Sequence, residues 1–387
     1  MTVHRTGWRP RLAGAIVLLL LGQSVTAVAA TDATWTRTGG LHDAREFAAS
    51  AVLMADRILV AGGVARGTVL DSAEVFDPRH QAWAATGRMA NARYAASATT
   101  LADGRVLVAG GIRYGGHLAT AELYDPATNR WSPTGGMLEP RALHTATLLP
   151  DHRVLVVGGF NGTDALATAE IYDPAKGGWM PTVPMVAPRF AHSATVLRDG
   201  RVLVAGGFAA GYQMELPVTP RAPVLGVYTR GPSAEVYDPR LASWTPTPNM
   251  LWLRGGHTAT RLADGRVLVS GGYDVDRGRP LAIAEIYDPV ADAWKVTGEM
   301  NQARGLHTAT LLGDGAVLVS GGGAMDLTGC TASTEIYMPP HGTWTSLPSM
   351  ATARCRHIAA SLPGGAALVA GGDDGRSTVG TAEVFKL

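Results

Sequence analysis

The sequence predicts an all-β fold: a seven-bladed β-propeller whose ring is closed by an N-terminal strand that completes the last blade. Two observations carry this. The first is a repeated stretch, Val106-Leu107-Val108-Ala109-Gly110-Gly111, in which an apolar run drives into a glycine pair. Equivalent pairs stand at Gly62-Gly63, Gly158-Gly159, Gly206-Gly207, Gly271-Gly272, Gly321-Gly322 and Gly371-Gly372. Their spacing of roughly 50 residues points to stacked strand modules. The second is the complementarity of the two ends. The last module stops at Ala382-Glu383-Val384-Phe385-Lys386-Leu387, one strand short, whereas Trp35, Leu41 and Arg45 carry an outer-strand pattern with no first strand before them. Closing the ring with that surplus strand removes the edges an open array would expose.

Each module has four parts in fixed order. An apolar strand such as His144-Thr145-Ala146-Thr147-Leu148-Leu149 ends at a tight turn, as at Asp103-Gly104, Asp199-Gly200, Asp264-Gly265 and Asp314-Gly315. Asp-Gly between strands is a hairpin signal because the turn needs positive φ. The second strand is the run into the glycine pair, which must end where other groups approach closely. As a phosphate loop it is poor, for no Lys-Ser or Lys-Thr follows and no helical pattern opens after it.

A variable loop leads to the third strand, which carries Ala-Glu-apolar-aromatic, as in Ala121-Glu122-Leu123-Tyr124, and recurs at Glu74, Glu170, Glu235, Glu285, Glu335 and Glu383. Asp-Pro then breaks the strand, since Pro cannot donate to a ladder. A Trp opens the fourth strand, followed at fixed distances by Met and Arg: Trp83, Met89, Arg93; Trp131, Met137, Arg141; Trp179, Met185, Arg189. The last blade is expected from residues 352–387 together with 33–41.

The order of glycine pair, Glu-x-Tyr-Asp-Pro and Trp-x5-Met resembles the Kelch repeat. The match spans essentially the whole chain after its leader. The resemblance implies a propeller fold and little chemistry, since propellers host enzymes and binding modules alike.

The N-terminus reads as a secretory signal over residues 1–29, with the propeller over 30–387. His4, Arg5, Arg9 and Arg11 form a basic lead, Leu12 to Leu21 an apolar core too short to span a bilayer, and Ala27-Val28-Ala29 a small-residue cleavage site. The expected location is secreted or periplasmic, with no membrane span in the mature chain. A formal net charge of +1 and the absence of basic runs argue against nucleic acid as a partner. No cofactor is called for, and a monomer is expected.

In a propeller the loops between second and third strands share one face, here the upper face, with the links between blades. The lower face carries the short Asp-Gly and Asp-Pro turns, so variation, and with it any site, is expected above. Arg45, Arg93, Arg141, Arg189, Arg254, Arg304 and Arg354 precede the innermost strands there, at a height similar to the seven Glu. They read either as buried Arg–Glu pairs that fix register or as a ring of cations for an anionic ligand. His144, His192, His257, His307 and His357 lie three residues after the Arg in five modules, where the first two have Ala48 and Ala96. Their equivalent positions suggest shared packing, with ligation of metal or substrate as the other reading. Cys330 and Cys355 fall on the upper face of adjacent blades, which in an oxidising compartment favours a disulfide.

The loop of the fourth blade runs from Phe208 to Ser233, against Ile112 to Thr120 in the second. It holds several prolines and carries Tyr212, Met214, Tyr228 and Arg230, residue types common in contact patches. It is expected to form one wall of a ligand or partner site, facing Asn161, Tyr273, Asp274 and Arg277 on neighbouring loops.

The leading functional reading is a module that binds a glycan or a protein through these upper loops. Two enzymatic readings stand beside it. The Kelch-fold radical copper oxidases, such as galactose oxidase, share the blade count, but their Tyr-His pair is missing here, and Tyr94 and Cys355 each follow their Arg on different blades. The Kelch-fold sialic acid mutarotases would need only an acid or base in the upper cleft.

Overall fold

The computed structural model describes residues 32–209, 233–324 and 329–387. The fold is a seven-bladed propeller, each blade a four-stranded antiparallel sheet. In the second blade the strands run outward as Ser97–Thr100, Val106–Ala109, Ala121–Asp125 and Arg130–Thr134. The innermost strands of successive blades lie side by side around the axis, and those of the seventh and first blades complete the circle.

The N-terminal strand Thr34–Arg37 closes the ring. It pairs antiparallel with Ala382–Lys386, Trp35 opposite Phe385, in the seventh blade. The closing strand is shorter than the expected 33–41, because the chain leaves the ladder near Thr38 to enter the link that carries Arg45.

The cores lie between blades. The first–second junction buries Leu59, Ala61 and Val75 from one side and Met89, Val106, Val108 and Tyr124 from the other. The second strands are buried on both faces, so they read as unbroken apolar runs rather than alternating ones. The repeated aromatic pair lies across the outer two strands, as in Tyr172 and Trp179, with ring centroids 5.0 Å apart.

The glycine pair is required by contact as well as by backbone. A Cβ on Gly110, whose φ is +67°, would lie 2.3 Å from the carbonyl oxygen of Arg141 and 2.7 Å from Cε1 of His144, both from the next blade. In the third blade, where the lower turn has no glycine, His152 itself adopts φ 68°.

Candidate functional site

The upper face is built on a seven-fold network of buried Arg and Glu. Arg141 Nη2 donates to Glu170 Oε1 at 2.7 Å, and its Nη1 donates to the carbonyls of Gly158 and Thr168. Glu170 in turn accepts from the backbone N–H of Leu138 and Glu139 in the link entering the blade. The same set recurs at Arg45–Glu74, Arg93–Glu122, Arg189–Glu235, Arg254–Glu285, Arg304–Glu335 and Arg354–Glu383. Burial pushes the guanidinium of Arg93 down, and Glu122 opposes it. These cations are committed, so the reading as register-fixing pairs stands and the ring of available cations is corrected.

The histidines are committed as well. Each lies between blades and reaches back to a hydroxyl on the preceding blade's innermost strand. Nε2 of His144, His192, His257, His307 and His357 meets Oγ of Ser97, Oγ1 of Thr145, Oγ of Ser193, Oγ1 of Thr258 and Oγ1 of Thr308, at 2.8–3.0 Å. Both partners are present at five junctions and both absent at two. Ile358 faces the position of Ala48, and Ala49 that of Ala96. Burial, with the Arg three residues earlier acting next, drives His144 and His257 down to about 3, so the rings are neutral. Among the described residues no group of three His, Cys, Asp or Glu could hold a metal ion.

Above the histidines the backbone forms a hoop. The residues two after each Arg are Phe47, Ala95, Leu143, Ala191, Gly256, Leu306 and Arg356, and all have positive φ. Ala95 N donates to Phe47 O, Leu143 N to Ala95 O, and so on around to Phe47 N, which donates to Arg356 O. The seven hydrogen bonds close on themselves. The hoop lines a channel cavity of about 310 Å³ together with Ala48, Ala96 and the five histidines.

At the seam between the seventh and first blades the symmetry breaks. Arg356 holds a hoop position that is apolar or glycine in the other six blades. Glu46, the residue before Phe47, has Tyr94, Ala142, Phe190, Gly255, Gly305 and Cys355 as counterparts. Asp373, which bridges to Cys355, has Val64, Ile112, Phe160, Phe208, Tyr273 and Gly323. The three charges meet. Arg356 Nη2 lies 2.5 Å from Glu46 Oε2 and 3.7 Å from Asp373 Oδ1, and the guanidinium sits 5.0 Å from the centroid of the Phe47 ring. Burial raises Glu46 to about 7 against the pull of Arg356, and raises Tyr94 to about 12 with help from Glu46. Sequence reading missed this cluster. Aligning the repeats position by position, rather than looking for residues they share, would have found it.

Of the eight expected site residues the structure describes Asn161, Tyr273, Asp274 and Arg277. Tyr212, Met214, Tyr228 and Arg230 lie outside the described residues. Tyr273 is a correction: it is 1% exposed, packed with Phe208, Phe190 and Val275, and its hydroxyl donates to Gly323 O. Its aromatic body suits the core more than a rim. Asp274 is also buried, accepting from the N–H of Asp276 and Arg277 within its own hairpin. Asn161 does the same for Thr163 and Asp164. Of the four, only Arg277 presents an exposed side chain, paired to Asp274 at 3.3 Å.

Cys330 and Cys355 are joined, with Cα atoms 5.4 Å apart, linking the sixth blade's upper loop to the link entering the seventh. The bridge closes a loop of 25 residues, for which chain entropy gives about 3.5 kcal/mol. Alkylation of the unfolded, unreduced protein is expected to label no thiol, and reduction should lower the melting temperature. Two labelled thiols before reduction would contradict the bridge.

A seven-bladed ring with these repeats and an asymmetric upper mouth defines a Kelch-type propeller. The model of the Attractin/LZTR1 beta-propeller matches residues 23–277, and that of the Kelch motif matches 254–301. The chain belongs to the Attractin/LZTR1 beta-propeller family. No curated protein sequence matches it. Among solved structures, a fungal alcohol oxidase of the AA5 family, in complex with copper, superposes with a TM-score of 0.68. The identity is 17%, with 91% of this chain and 76% of that chain covered, a likeness in fold.

Proposed function

We propose that the chain is a secreted or periplasmic propeller that binds a glycan or protein partner on its upper face. One observation carries this reading: three charges with no charged counterpart in any other blade, Glu46, Arg356 and Asp373, meet beside the upper mouth. Below, four blades share one Asp-Arg turn, at Asp103–Arg105, Asp151–Arg153, Asp199–Arg201 and Asp264–Arg266. A turn shared by four blades does not select a ligand, whereas a unique cluster on a rigid ring can. The long loop of the fourth blade is proposed as a second contact surface. The test is a glycan-array and pull-down screen with the mature protein, repeated after shortening Gly211–Gly231 to the length used in the second blade. The shortened protein is expected to keep its melting temperature and lose at least tenfold in affinity. Unchanged affinity would reduce the loop to decoration.

The second reading is copper-dependent alcohol oxidation, which the structural likeness favours more directly than any comparison favours a binding module. The described residues do not fit such a centre. The five histidines are tied to hydroxyls on separate blades, and Cys355 is bonded to Cys330 rather than available to a tyrosine. Stoichiometric copper in the purified protein, with peroxide formed from alcohols, would promote this reading over the first. Accelerated anomer exchange of sialic acid would promote the epimerase.

A further inference from the structure

We infer that the seam beside the channel mouth is a seat for a neutral, hydroxyl-rich ligand, such as a polyol or the terminal sugar of a glycan. The inference rests on the upper-face binding reading and narrows it to one place and one chemistry.

The place follows from what the seam lacks. At five junctions an imidazole and a hydroxyl fill the space between innermost strands. At the seam and at the first–second junction, Ala48 and Ala96 stand where the rings would be, and both line the channel cavity. Its volume of about 310 Å³ is at the small end of ligand pockets, the size class of a single sugar ring.

The chemistry follows from the charges. Among the described residues, Arg356 is the one residue lining this cavity that stays charged, since its histidines are neutral. It is held between Glu46 and Asp373, so an anion gains little from it. A cation would meet the guanidinium first. What remains is directional: the Arg356 side chain is 2% exposed, and among the described residues its Nε has no hydrogen-bond partner. A buried donor without a partner is costly and marks a place where something else completes it. Around it Phe47, Leu143 and Leu306 supply an apolar surface for the C–H face of a ring.

The experiment is saturation-transfer NMR and calorimetry on the mature protein. The probes are neutral monosaccharides and polyols, with uronic acids and hexosamines as charged counterparts. At least one neutral probe is expected to bind, and its charged counterparts to bind at least tenfold more weakly. Arg356→Met is expected to lower affinity at least tenfold. The paired change Ala48→His with Ile358→Thr should install the missing imidazole–hydroxyl link at the seam, keep the melting temperature, and abolish binding. No binding by any neutral probe overturns the inference, as does equal binding of charged probes or binding unchanged in the Ala48/Ile358 variant. A partner captured equally by wild type and that variant leaves upper-face binding standing and overturns the seam seat alone.

Discussion

Moving the protein from about pH 7 to about pH 5 is expected to lower its unfolding free energy by on the order of 5 kcal/mol or more. The cause is the set of five buried histidines. Burial holds His144 and His257 at about 3 and the other three well below their ordinary value. An unfolded chain binds protons on these rings from about pH 6.5 downward, and the folded chain does not. A folded value below the unfolded one means stability is complete above about pH 6.5 and falls as pH drops toward the folded value. Across this window His144 and His257 each contribute a loss of roughly 2 kcal/mol, and His192, His307 and His357 lose stability in the same direction. Glu46 works in the opposite sense: raised to about 7 by burial, it takes up a proton in the folded state first and so gains stability on acidification. One carboxyl offsets about one imidazole, which leaves the histidines dominant. Set against a typical total of about 5–15 kcal/mol, the loss is enough to unfold the ring. Melting curves across the window measure it, with His144→Gln expected to flatten the slope. A melting temperature that does not move between these pH values would refute the assignment.

Arg141→Ala is expected to cost about 3–5 kcal/mol, because it leaves Glu170 charged, buried and without its cation. Arg141 is fully buried and also donates to the carbonyls of Gly158 and Thr168. Glu170→Gln should cost less, since the amide oxygen can still accept from Leu138 N–H. The exposed pair on the lower face is the control: Arg105→Ala, opposite Asp103, should cost under about 1 kcal/mol. Urea unfolding of the four proteins and of the Arg141/Glu170 double variant measures the coupling. If Arg141→Ala and Arg105→Ala cost the same, the buried network is not what holds the blades in register.

The architecture was legible because it is written seven times. Gly110-Gly111, Glu122, Trp131 and Arg141 answer to requirements repeated in every blade, and repetition exposes them. The strand that closes the ring was legible for the same reason, as Trp35 kept its pattern without a blade of its own. The site was less legible. Tyr273 looked like a rim aromatic because sequence gives residue type and loop position but not the direction of the side chain, and its hairpin folds it inward onto Phe208 and Val275. Asp274 looked available for the same reason and is spent on its own turn. Glu46, Arg356 and Asp373 are far apart in sequence and each is unremarked by itself. Only closure of the ring brings the first link against the last, so their meeting depends on topology that a residue-by-residue reading does not see.

The backbone hoop has one further implication. Repeat proteins built as open rows come apart from their terminal units, since an end module has one neighbour where an inner one has two. Here each of the seven hoop residues gives a hydrogen bond to one side and receives one from the other, and the circle returns to Phe47 through Arg356. A circle has no terminal unit, so no blade is the natural first to fray. The molecule is a repeat in sequence and a single cooperative body in unfolding. Its weaker circumferential joints are set by chemistry rather than by position in the chain: they are expected where Ala48 with Ile358, and Ala96 with Ala49, take the place of an imidazole and a hydroxyl.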